Sequence, residues 1–315
     1  VTLFALGWGS CCVPGYAQEP SPEAAKQFLE AAAEKSREKA AGQTFEAFMS
    51  SVYREPGPDG KFIVNGDVGI LNEKQLREFY DENVKNRPPT IPGDIPELIV
   101  MHVGGLDAVW NSINKHSITY CVSTAFGARK AAVVAAMADA TAAWQKVADV
   151  TFKHVGAQDA SCNAANNSVV FDVRPTTGGG YLARAFFPNQ PRNTRNVLID
   201  ESSFNLDPNG ALTLTGILRH ELGHAIGFRH EHTRPDSGTC FEDTDWRPLT
   251  NYDAFSVMHY PQCNGKAGWA LKLTSLDGVG AACVYGPAPG FSFNPADCQK
   301  GTTTKTVTFD NQTVA

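Results

Sequence analysis

At 315 residues the chain is long enough for one or two domains, each with a core of its own. Hydrophobic residues make up 42% and charged residues 19%, which is ordinary globular composition. The formal net charge of −6, with no basic stripe, argues against nucleic acid as a partner.

Residues 1–18 carry no charge and begin Val-Thr-Leu-Phe-Ala-Leu, and Gly15-Tyr16-Ala17 has the small-x-small form of a cleavage site. Residues 1–17 therefore read as a signal-peptide remnant, which places the chain outside the cytoplasm: secreted, periplasmic or on the cell surface. About a dozen apolar residues are too few to span a bilayer, and no other segment is long and apolar enough. A lipoprotein site through Gly9-Ser10-Cys11 is the weaker alternative. Of the eight cysteines, Cys11 and Cys12 fall in that leader. The other six allow fifteen pairings in an exported chain. Cys240 and Cys263, which bracket the segment between two motifs described below, form the favoured pair.

Residues 18–50, rich in Ala, Glu and Lys, read as helix. Arg54 to Gly60 is a turn, Phe62–Val64 a short strand and Asn72–Tyr80 a short helix. Four prolines and a glycine between Arg87 and Pro96 mark a boundary. The expected units are thus a leader (1–17), a pro-segment (18–95), a main domain (96–286) and a tail (287–315). Within the main domain strands are predicted at Ile118–Ser123, Val150–His154, Ser168–Val173, Tyr181–Phe187 and Asn196–Asp200. A helix over Arg129–Ala148 carries Val133, Met137, Ala140, Trp144 and Val147 on one face, as core. A second helix starts near Leu212 with Leu214, Ile217, Leu218 and Ala225 as its buried stripe. Thr274-Ser275-Leu276-Asp277 is a capping box for a last helix.

The chemistry is concentrated in His220-Glu221-Leu222-Gly223-His224-Ala225-Ile226-Gly227-Phe228-Arg229-His230. On a helix, His220 and His224 lie one turn apart on one face and can reach one Zn2+ ion. Gly227 can take the left-handed conformation that ends the helix, so the chain can turn and bring in His230 as third ligand. Three protein ligands leave a coordination position open, which suits catalytic zinc. Glu221 is free to act as a general base on activated water.

The pattern H-E-x-x-H-x-x-G-F-x-H-E-x-x-R-x-D is matched from His220 to Asp236, and Ser256-Val257-Met258-His259-Tyr260 matches S-x-M-H-Y. Together these resemble the astacin family of the metzincin zinc peptidases, in a bacterial-type secreted precursor. The resemblance implies an α+β fold with a twisted mixed sheet, a long active-site helix, a Met-turn and a C-terminal helix, preceded by a propeptide. It implies zinc-dependent hydrolysis of protein or peptide substrates, with Met258 as a hydrophobic floor and Tyr260 as a displaceable ligand and oxyanion stabiliser. Ala183, Arg184 and Ala185 resemble the edge strand on which substrate is laid out. Phe62 to Asp67 resembles, at a longer spacing, the propeptide segment whose Asp occupies the zinc. Asp67 is then a ligand of the latent form, the propeptide is an inhibitor, and activation follows cleavage between about Lys85 and Lys115. The plainer reading makes Asn65-Gly66 a hairpin turn that Asp67 merely closes. Arg184, Arg229, Arg234 and Arg247 could each favour acidic side chains. Glu231, Arg234 and Asp236 form a supporting polar network, while His102, His116 and His154 carry no assigned role. Two other functions fit the same motifs: a catalytically weak binding or adhesion module, and a zinc amidase acting on cell-wall peptides.

Overall fold

The computed structural model describes residues 44–57, 60–85, 98–207, 209–238, 240, 242–243 and 245–298. The expected leader, residues 18–43 of the helix expected over 18–50, the Pro-rich boundary and the end of the tail lie outside the described residues.

A five-stranded sheet forms the scaffold. Its strands are β6 (Ile118–Val122), β7 (Phe152–His154), β8 (Phe171–Thr176), β9 (Ala183–Arg184) and β10 (Asn196–Asp200), in the order β7-β6-β8-β10-β9. Four strands run parallel and β9 is antiparallel to β10 at the edge, with Leu198 opposite Arg184 and Ile199 opposite Ala183. Every residue of β10 is buried, as an inner strand covered on both faces requires. Helix α3 (Lys130–Gln145) buries Val133, Met137, Ala140 and Trp144 against α4 (Leu214–Ala225) and the sheet. Helix α5 (Ser275–Tyr285) begins at the expected capping box, with Thr274 accepting from the Asp277 amide and Asp277 accepting from Thr274.

Two features depart from the sequence reading. The strand expected over Tyr181–Phe187 pairs with β10 only at Ala183–Arg184, because the Ala185 amide bonds to Glu221 and Phe186 and Phe187 turn into buried packing. A further three-stranded sheet was not anticipated. It consists of β4 (Ile99–Val103), β5 (Leu106–Asp107) and β11 (Trp246–Pro248), in the order β11-β4-β5. Pro248 is tolerated there because β11 is an edge strand. The favoured Cys240–Cys263 disulfide is present, with Cys121–Cys162 and Cys283–Cys298 beside it.

Residues 44–85 fold around a core of their own: α1 (Phe45–Ser51), β1 (Tyr53–Arg54), β2 (Phe62–Val64), β3 (Val68–Ile70) and α2 (Glu73–Phe79) surround Phe45, Phe48, Phe62, Val64, Leu76 and Tyr80. This segment docks on the sheet edge through Ile63, which meets Tyr181 and Leu198. Beside that contact Arg184 donates to both oxygens of Glu55, at 2.7 Å from Nη2 to Oε2, and Tyr181 donates to Glu55 at 2.6 Å. Burial opposes ionisation of Glu55, but the Arg184 guanidinium outweighs it and holds the carboxyl below its usual range. Lys61 Nζ donates to Gln190 and to the Thr194 carbonyl.

Arg184 is therefore engaged by the N-terminal segment. Arg229 pairs with Asp243, Arg234 with Glu231 and Arg247 with Asp107, so none of the four arginines is free for an acidic substrate side chain in this state. Replacing Glu55 by Ala strands a buried guanidinium, a change that costs about 3–5 kcal/mol in comparable pairs. Trypsin should then cut at Arg54 and Lys61 faster while the main domain stays intact. Unchanged protection would show that this pair does not hold the segment in place.

Candidate metal centre

The Thr213 side chain caps α4 by accepting from the Gly216 amide. The helix carries His220 and His224 and ends where Gly227 adopts φ +98°, a region that favours glycine. A Cβ at that position would also lie 2.4 Å from the Ala108 carbonyl oxygen. The chain turns there and delivers His230.

The Nδ1 atoms of His220, His224 and His230 lie 2.8, 2.7 and 2.7 Å from the Val257 carbonyl, the Phe228 carbonyl and Glu242 Oε1. All three partners are acceptors, so each Nδ1 carries the proton and each Nε2 turns its lone pair inward. The Nε2 atom of His230 is 3.1 Å from that of His220 and 3.2 Å from that of His224. Asp67 closes the cluster, with Oδ2 at 3.4 Å from His220 and 3.7 Å from His224, and Oδ1 at 3.1 Å from His230. Four ligand atoms held tetrahedrally at zinc distances would sit roughly 3.3 Å apart.

Three lone pairs and a carboxylate need a positive charge among them. Burial opposes a charged His230, but the carboxylates of Asp67 and Glu242 outweigh it and lift the group to about 10. Burial holds His224 down to about 4. Either a proton on His230 or a metal ion satisfies the cluster, and a metal must displace that proton. Asp67 Oδ1 and Glu221 Oε2 are buried without a hydrogen bond. The donor set fits zinc: His220, His224 and His230 would hold it, and Asp67 would fill the fourth position.

Asp67 reaches the cluster from the tip of the β2–β3 hairpin, where Val64 pairs with Val68 and Asn65 and Gly66 take φ of 55° and 92°. The turn and the approach to the histidines, set against each other in the sequence reading, occur together here. The hairpin turn is what aims the carboxylate. Tyr260 Oη donates to Asp67 Oδ2 at 2.7 Å, and its ring centroid lies 4.5 Å from that of His230. Burial and the Asp67 charge push the Tyr260 phenol well up. Burial, with the Asp67 charge next, likewise raises Glu221 well above the usual carboxylate range. A small cleft passes Asp67, Leu182, Ala183, Glu221 and Tyr260.

Met258 is fully buried beneath α4, where a Cβ on Gly223 would lie 2.3 Å from its sulfur. Gly223 therefore serves close packing against Met258 rather than the ligand face. Two supporting residues escaped the sequence reading. Asp277 accepts from Ser256 Oγ and the Val257 amide as well as capping α5, and so anchors the turn whose carbonyl orients His220. The capping box gave its position but not this second contact. Glu242 sits in no motif and had no local signal. His102, His116 and His154 each pair with an Asp away from the cluster.

Residues 110–237 match the profile of the matrixin peptidases. The fold is α+β. High choriolytic enzyme 1 of Oryzias latipes is 39% identical over 67 residues, covering 16% of this chain and 25% of that protein. Protein SpAN of Strongylocentrotus purpuratus is 32% identical over 81 residues, covering 20% of this chain and 13% of that one. These alignments thus span a quarter or less of either relative. The solved structure of high choriolytic enzyme 1, described as a hatching enzyme zinc-protease, aligns over 51% of this chain and 77% of its own, at 20% identity and a TM-score of 0.32. Within this fold, the His cluster lies at the C-terminal end of α4, against the sheet edge.

Proposed function

We propose that the chain is a secreted, astacin-like zinc endopeptidase made as a latent precursor. The observation that carries this reading is the convergence of three Nε2 atoms within about 3.2 Å, beside a buried glutamate and an edge strand. When bound, zinc supplies a Lewis acid that polarises the scissile carbonyl and activates water. Glu221 takes the water proton and returns it to the leaving amine. The Tyr260 hydroxyl, released from Asp67, donates to the oxyanion. The β9 edge offers backbone groups to an extended peptide once the N-terminal segment leaves. Three disulfides favour an oxidising, extracellular setting. Among the described residues no helix is long and apolar enough to cross a membrane.

The test is casein hydrolysis by the chain after removal of its N-terminal segment, with and without a zinc chelator. Chelator-sensitive cleavage supports the endopeptidase. Its absence favours the binding module, and cleavage of peptidoglycan fragments but not casein favours the amidase.

Latency is tested separately. Asp67→Ala should make the uncleaved precursor at least about tenfold more active than the unmutated one, since a ligand tethered at roughly millimolar effective concentration is lost. A precursor that stays silent would assign latency to steric cover by the rest of residues 18–95. The activating cut, placed between about Lys85 and Lys115 by sequence, narrows to the stretch before Leu98. β4 belongs to the second sheet, and Met101 donates to the Gly227 carbonyl beside His230, so a later cut would remove a strand that supports the centre.

A further inference from the structure

The loop between Cys240 and β11 places one buried carboxylate behind the third histidine. Glu242 Oε1 lies 2.7 Å from His230 Nδ1 and 3.0 Å from His232 Nε2. Its other oxygen accepts from Thr233 Oγ1 at 3.0 Å, with Arg229 Nη2 at 3.5 Å. His232, whose Nε2 faces Glu242, turns Nδ1 to the Tyr260 amide and accepts from it at 3.2 Å. The Cys240–Cys263 disulfide ties this loop, two residues before Glu242, to the turn that follows Tyr260.

We propose that Glu242 is a positioning residue that sets the proton positions of two histidines at once, and through them ties the third metal ligand to the backbone of Tyr260. An ionised carboxylate only accepts hydrogen bonds. Facing His230 Nδ1, it keeps the proton there and leaves Nε2 free to coordinate. Facing His232 Nε2, it keeps the proton there and leaves Nδ1 as acceptor for the Tyr260 amide. Both ring protons converge on the same oxygen, so a change at Glu242 reaches the ligand and the Tyr260 strand together. The inference rests on the zinc reading for His230 but not for His232, which does not touch the cluster centre.

The experiment uses the full chain and Glu242→Gln. An uncharged glutamine can turn its amide either way: its oxygen accepts from both rings more weakly, and its N–H group, placed there when the oxygen turns to Arg229, donates to them, so neither tautomer is enforced. Zinc affinity, measured by competition with a chromophoric chelator, should weaken about 10–100-fold. Imidazole nitrogen NMR should show His232 protonated on Nε2 in the unmutated chain, with or without zinc, and a mixed tautomer in the variant. The zinc-loaded unmutated chain should show His230 protonated on Nδ1. Unmutated zinc affinity in the variant, or a His232 proton on Nδ1 in the unmutated chain, overturns the proposal. The second readout needs no variant, so it decides even if Glu242→Gln fails to fold. An unmutated chain that takes up no zinc overturns the metal reading, while the His232 tautomer still judges Glu242.

Discussion

Glu221→Gln should keep one zinc per chain and lose chelator-sensitive proteolysis by about 10⁴-fold, the upper range for a positioned general base. The substitution is close to isosteric. Its amide oxygen can still accept from the Ala185 amide, and the three ligand imidazoles are oriented by Val257, Phe228 and Glu242 rather than by Glu221. In the uncleaved chain burial and the Asp67 charge already disfavour the ionised form of Glu221, so the neutral amide should not destabilise the precursor. What disappears is the ability to take a proton once Asp67 has gone. The measurements are zinc content by atomic absorption and turnover of a peptide library after removal of the N-terminal segment. Loss of stoichiometric zinc would make Glu221 a structural residue instead.

For Tyr260→Phe a smaller effect is expected: about 10²–10³ in rate with zinc retained, the worth of one oxyanion donor. The ring packs against His220, His230 and His232, and those contacts survive the change. The hydroxyl is the only part removed, and in the latent chain its partner is Asp67. The same variant should therefore also weaken latency, because Asp67 loses a donor at 2.7 Å. Steady-state kinetics on the mature form and background activity of the precursor read the two effects apart. Unchanged turnover would remove Tyr260 from the mechanism.

Much of this was legible in one dimension because it is local. His220 and His224 share a face through helical periodicity alone, and Gly227 announces the turn that brings His230 back. The apolar spacing of α3, the capping box of α5 and the Cys240–Cys263 pair are likewise short-range patterns whose physics acts within a few turns of chain. The mixed sheet was expected only through the family resemblance, and its strand order and directions were not legible in the sequence.

The tertiary structure alone decided the rest. Arg184 meets Glu55 across 129 residues, so no spacing could reveal that pair, and Asp67, 163 residues from His230, was reached only through the resemblance of its segment. The sequence reading weighed hairpin against ligand at Asn65-Gly66-Asp67 because it saw only the turn chemistry. Docking of that hairpin on the sheet edge makes the turn the means of delivery. Arg229, Arg234 and Arg247 looked available in sequence and are internally paired in the fold, since a buried guanidinium must find a carboxylate. Glu242 carries no motif at all. Its importance comes from being the acceptor that two buried ring N–H groups face, and such a relation exists only after the chain has closed on itself.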